Sequence, residues 1–212
     1  MVIKMDKNLD SLEELVVTMA EKVVRVHKKV LELLENYDTD LAIQVIKRDD
    51  FINKLEEEVN DEAITSLALL APVASDLRRV IGAIKIAGEL ERIADYSKNI
   101  SAILLKNKVN EDIKEYSKIM MKTFIEMLEL SINAYRDKDL DLVFVVAEKD
   151  NEIDSLFKEL ETKLIGLDDI NIIKEMFSLT GLLRAIERAG DHTVNICEQI
   201  VYVIKGHKYD FD

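Results

Sequence analysis

The segment Glu91-Arg92-Ile93-Ala94-Asp95-Tyr96-Ser97-Lys98-Asn99-Ile100 returns 96 residues later as Glu187-Arg188-Ala189-Gly190-Asp191-His192-Thr193-Val194-Asn195-Ile196, with five of ten positions identical. A second pair, Arg48-Asp49-Asp50-Phe51-Ile52-Asn53-Lys54-Leu55 and Lys149-Asp150-Asn151-Glu152-Ile153-Asp154-Ser155-Leu156, recurs in the same order at an offset of 101 residues. Ordered matches, one set per half, are the mark of an internal duplication. The two offsets differ by five residues, a deletion that a connecting loop absorbs.

Working outward from the repeats, apolar residues recur at three-and-four spacing. Leu12, Leu15, Val16, Met19, Val23, Val26, Val30 and Leu33 form one helical stripe, which predicts a first helix from about Asp10 to Asn36. Tyr37-Asp38-Thr39-Asp40 offers N-cap residues for a second helix that ends near Ala71. Pro72 is the sole proline, and its fixed φ and missing N–H suit the first turn of a third helix reaching Lys106. The same reading predicts a fourth helix over Glu111–Arg136, a fifth after Asp137-Lys138-Asp139, and a sixth from the Gly166-Leu167-Asp168-Asp169 turn to Ile204. The expected fold is all-α, two tandem homologous three-helix bundles, the first over residues 1–108 and the second over 109–212.

Composition agrees with helices. The 212 residues contain one proline, six glycines and no tryptophan, with 48% hydrophobic and 33% charged side chains, enough for real cores under solvated faces. Forty-two acidic against twenty-nine basic residues give a formal charge of -13, which opposes nucleic-acid and anionic-membrane binding. Cys197 is the only cysteine, so the chain reads as cytoplasmic, with no disulfide of its own. No apolar run approaches the roughly eighteen residues of a membrane span, and the polar opening is unlike a signal peptide. Neither membrane insertion nor a nucleic-acid partner is expected.

The motifs carry an acidic constellation. Glu91, Asp95 and Asn99 stand at i, i+4 and i+8, as do Glu187, Asp191 and Asn195, so each trio shares one helix face. Asp150 and Asp154 repeat that spacing on the preceding helix. The two motifs of each half lie symmetrically about the hairpin turn, near residues 72 and 170, and therefore level with one another across an antiparallel pair. In so acidic a chain a lone i,i+4 pair is a solvated face, with a cost of about 0.2–0.5 kcal/mol. The same pair at matching positions of both halves is not explained that way. Carboxylates gathered across two helices need a cation to coexist, and hard oxygen ligands suit Mg, Mn, Fe and, less selectively, Zn.

Ala71-Pro72-Val73-Ala74-Ser75-Asp76-Leu77-Arg78, with Glu89-Leu90-Glu91-Arg92-Ile93-Ala94-Asp95, resembles the signature of the PhoU family, and Arg184-Ala185-Ile186-Glu187-Arg188-Ala189-Gly190-Asp191-His192 resembles its second copy. The resemblance spans nearly the whole chain. It implies multinuclear iron or zinc clusters held by (E/D)xxxD pairs. It also implies a homodimeric regulator that restrains a phosphate ABC importer through contacts with its ATPase subunit or its sensor kinase. Carried over by position, the metal residues are Asp49, Asn53, Glu91 and Asp95 in the first half and Asp150, Asp154, Glu187 and Asp191 in the second. Asn53 stands where the pattern has an acid and offers only a neutral carbonyl, so the first site is the weaker. Ala94 replaces the glycine of the family's Glu-Arg-Ile-Gly-Asp string in the first copy, and Ala189 the isoleucine in the second.

Around these, Asn99, Asn195, Arg92 and Arg188 are supporting candidates, the arginines reading foremost as partners in interhelical ion pairs. His192 points about 100° away from Asp191 and reads as packed or hydrogen-bonded. Cys197 and Met120, Met121 and Met127 read as core. A di-metal carboxylate enzyme needs Glu-x-x-His pairs, and no histidine here has a glutamate three residues before it; phosphate-cradling glycine loops are absent too. The expectation is a non-catalytic protein. The alternatives are a metal store and an accessory subunit of a non-ABC phosphate permease.

Overall fold

The computed structural model describes the backbone of residues 2–47, 49–107, 109, 111–164 and 170–211, and the side chains of 6–47, 50–107, 109, 111, 113–159, 162 and 180–211. Every regular element among them is an α-helix: α1 (Val2–Glu35), α2 (Thr39–Lys47), α3 (Asp49–Leu70), α4 (Ser75–Lys106), α5 (Glu111–Asp137), α6 (Leu140–Leu164) and α7 (Ile170–Lys205). The expected second helix is α2 and α3 together, on either side of residue 48; the expected Gly166 to Asp169 turn lies outside the described residues.

The sequence reading places Pro72 in the first turn of a helix, and the structure corrects this. Pro72 lies buried in a four-residue link, and α4 begins at Ser75. The reason is local. The ring of Pro72 disfavours the right-handed helical region for Ala71, so α3 stops at Leu70; Ala71 stands at φ 47°, and Ala74 at φ 50° ends the link. Helix α4 then starts without a side-chain cap. Helices α2 and α6, by contrast, are capped. Asp38 Oδ1 accepts the backbone N–H groups of Asp40 (2.8 Å) and Leu41 (3.2 Å), and Asp139 Oδ1 accepts that of Asp141 (2.9 Å). Asp38 and Asp139 are 101 residues apart, so the cap is duplicated with the motif it precedes.

Helices α1 to α4 form one bundle and α5 to α7 the other. They join through like elements, α4 against α7 most extensively and α1 against α5. Contacts of Gly82 with Val203, Tyr96 with His192 and Gly181 with Ile103 show that α4 and α7 run antiparallel. Tyr96 and His192 are equivalent positions of the duplication, and their rings meet at 5.6 Å. Equivalent residues touching one another mark the pseudo-twofold axis. The core runs on both sides of it through Leu12, Met19, Ile93, Met120, Phe124 and Ile186, and Met121, Met127 and Cys197 are fully buried as expected.

A polar clamp also crosses between the bundles. Glu13 on α1 accepts from Arg79 Nε on α4 at 2.9 Å and from Lys138 Nζ, just after α5, at 2.8 Å. Burial works against the Glu13 carboxylate, but these two cations hold its pKa below the ordinary range.

Candidate metal centre

In the second bundle α6 carries Asp150 and Asp154 level with Glu187 and Asp191 on α7, as the spacing predicts. Asp150 shows the consequence. Burial first, then the charges of Asp191, Asp154 and Glu187, push its pKa up to about 7. Glu187 is raised for the same reasons, burial first and then Asp191 and Asp154, with Arg188 and Arg184 opposing. Asp150 Oδ1 is buried and meets no hydrogen-bond partner among the described residues. Asp191 is exposed, and Asp154 lies 3.5 Å from Lys158 Nζ. Among the described residues, no three His, Cys, Asp or Glu side chains stand ready-made to hold a metal ion.

Asp150 comes close to the α7 backbone because residue 190 has no side chain. A Cβ on Gly190 would lie 2.6 Å from Asp150 Oδ1, with Ile153 Cδ1 at 3.5 Å and Met127 Cε at 3.8 Å closing the space.

The first bundle is less complete. Asn53 Oδ1 is buried and meets no partner among the described residues, Glu91 is half-buried, and Asp95 lies 3.8 Å from Lys98 Nζ. The side chain of Asp49 lies outside the described residues. Among the described residues, the structure thus brings motif carboxylates of both helices to bear on one another in the second bundle.

The supporting candidates divide. Asn99, Arg92 and Arg188 are exposed. Asn195 is not turned toward Glu187 and Asp191: its Nδ2 donates to Glu89 Oε2 at 3.2 Å. The same oxygen lies 2.6 Å from His192 Nδ1, and His192 Nε2 lies 3.4 Å from the Tyr96 hydroxyl. His192 is therefore a hydrogen-bonded bridge across the axis, in keeping with its direction off the Asp191 face. Burial works against the Glu89 carboxylate, but His192 and Asn195 hold its pKa low. Glu89 escaped the sequence reading because its equivalent at an offset of 96 is Ala185, so the repeat does not point to it. No helix among the described residues is long and apolar enough to cross a membrane.

Fold and site define a duplicated, all-helical protein with an acidic motif pair in each repeat. The PhoU domain matches it twice, over residues 16–104 and 118–200. The phosphate-specific transport system accessory protein PhoU homologue of Aquifex aeolicus is 35% identical over 209 residues, 96% of this chain and 94% of that protein. Its counterpart from Clostridium acetobutylicum is 30% identical over 200 residues, 92% of this chain and 90% of its own. The crystal structure of the phosphate transport system regulatory protein PhoU from Streptococcus pneumoniae superposes with a TM-score of 0.89 at 28% identity, covering 97% of this chain and 99% of that one. The chain belongs to the PhoU family.

Proposed function

We propose that this chain is a metal-binding regulator of phosphate uptake that works in the cytoplasm by contact with other proteins, restraining a phosphate ABC importer through its ATPase subunit or its sensor kinase. What supports the metal is the second-bundle constellation: four carboxylates of hard-ligand chemistry on two level helices, one with a buried oxygen that meets no donor among the described residues. Asp150, Asp154, Glu187 and Asp191 would hold the ion, and iron or zinc fits both the donors and the family. A bound cation supplies neutralisation of the clustered charge and a tie between α6 and α7. The residues themselves do the rest. Glu187 and Asp191 face Asp150 and Asp154 across the hairpin, and Gly190 lets Asp150 approach. Long helices give rigid outer faces for docking, and a tie between two of them couples occupancy to the shape of those faces. The acid/base and nucleophile groupings of an enzyme are not part of this reading.

Elemental analysis of purified variants tests the metal assignment. Asp191→Ala is expected to weaken binding by about tenfold or more, and Asp95→Ala by less, because Asn53 leaves the first bundle a charge short. Equal losses overturn the ranking, and no loss in either overturns the site. Association is tested by pull-down from the native cell, with and without chelator. An importer ATPase or sensor kinase recovered in a chelator-sensitive manner is the expected result. Recovery of neither sinks the regulatory reading, and recovery of a non-ABC permease redirects it.

A further inference from the structure

Gly190 and Ala94 are the equivalent residues of the two copies, each followed by the motif aspartate. They are otherwise alike, being buried inside long helices, α7 and α4. The space beside them differs. At Gly190 the missing side chain leaves room that Asp150 Oδ1 occupies, 2.6 Å from where a Cβ would stand. At Ala94 a methyl group already fills the corresponding place. A glycine in a helix interior gives up helix propensity, and at 190 what the missing Cβ admits is the close approach of Asp150, a contact that Gly88 in α4 does not have.

We propose that Gly190 is the positioning residue for Asp150, and that glycine at 190 against alanine at 94 sets which repeat takes metal more tightly. A Cβ at 190 forces the Asp150 carboxylate to swing away from α7 while the other three carboxylates stay. The inference rests on the metal reading above and adds a second cause of asymmetry, steric and independent of the missing charge at Asn53.

The test is Zn2+ titration against a chromophoric chelator. Gly190→Ala is expected to bind about tenfold more weakly or worse, the range found when a residue orienting a ligand is lost, while helical circular dichroism is unchanged. A crystal structure of the metal-free variant should show Asp150 in a different rotamer. Transplantation supplies the converse. In an Asp191→Ala background, Asn53→Asp with Ala94→Gly is expected to restore tight binding, and Asn53→Asp alone is not. Wild-type affinity in Gly190→Ala, or full restoration by Asn53→Asp alone, overturns the role of the glycine and leaves the metal reading standing. A wild-type protein that takes up no Zn2+ removes both. Should Gly190→Ala fail to fold, the transplanted pair still decides the matter.

Discussion

Gly82→Leu is expected to force α4 and α7 apart and to lower stability by about 3 kcal/mol or more, the upper range for overpacking a well-filled core. For a chain of this length that is a fall of roughly 10 °C in the unfolding midpoint. The cause is the interface between the repeats. A Cβ on Gly82 would stand 2.3 Å from Val203 Cγ2, and a β-branched side chain in a helix has one strongly preferred rotamer, so Val203 cannot turn aside cheaply. Both residues are buried, leaving a leucine no route to solvent. Gly88 on the same helix provides the control. Among the described residues nothing outside its own helical turn lies within 4 Å of its Cβ position, so Gly88→Ala is expected to gain about 0.5–1 kcal/mol from helix propensity alone. Thermal denaturation of the two variants checks both signs. A midpoint for Gly82→Leu within a couple of degrees of the wild type would mean that the helices yield at this contact.

The second large effect is acid sensitivity through His27. Its ring is fully buried, edge-on to Phe124 at a centroid distance of 4.8 Å. Its Nδ1 lies 3.0 Å from the Val23 carbonyl oxygen, and Nε2 meets no partner among the described residues. Burial lowers the pKa to about 4, against a smaller upward pull from the Val23 bond. The folded value therefore lies below the unfolded value near 6.5. Between those values the unfolded chain takes up a proton that the native protein refuses, so stability falls as pH falls. Over that window the loss is about 3 kcal/mol. Asp150 acts in the opposite sense, since its raised pKa of about 7 makes protonation favour the folded state as the pH falls. Comparing wild type with His27→Leu by urea denaturation at pH 7 and pH 4 separates the two, because Asp150 is common to both. The wild type should lose more stability than the variant on acidification, and equal losses would mean that His27 is protonated in the native state.

Much of the fold could be read from periodicity, because amphipathic stripes and a duplicated motif are long-range statistical features. The helix limits at Lys106 and Glu111 were legible this way. The start of α4 was not, since Ala71 and Ala74 adopt left-handed backbone that no sequence rule assigns to alanine. The second-bundle carboxylates were legible because four charges repeat a spacing. Glu89 was not, because an unrepeated residue carries no such signal and its partners lie across the axis. Asn195 was misplaced for the same reason: helical spacing fixes the face of a side chain, and a neighbouring helix decides which acceptor on that face it meets.

The meeting of Tyr96 with His192 bears on how this architecture can evolve. A single-repeat ancestor pairing with its own copy would set the same residue opposite itself at the centre, two tyrosines or two histidines, and any gain on one side would be imposed on the other. Fusion of the copies into one chain removes that constraint. A phenol can then face an imidazole, and a carboxylate at Glu89 can hold that imidazole without its counterpart at Ala185 having to exist. The contact at the centre is a heterodimer's contact inside one polypeptide, which leaves each repeat able to drift toward a separate task.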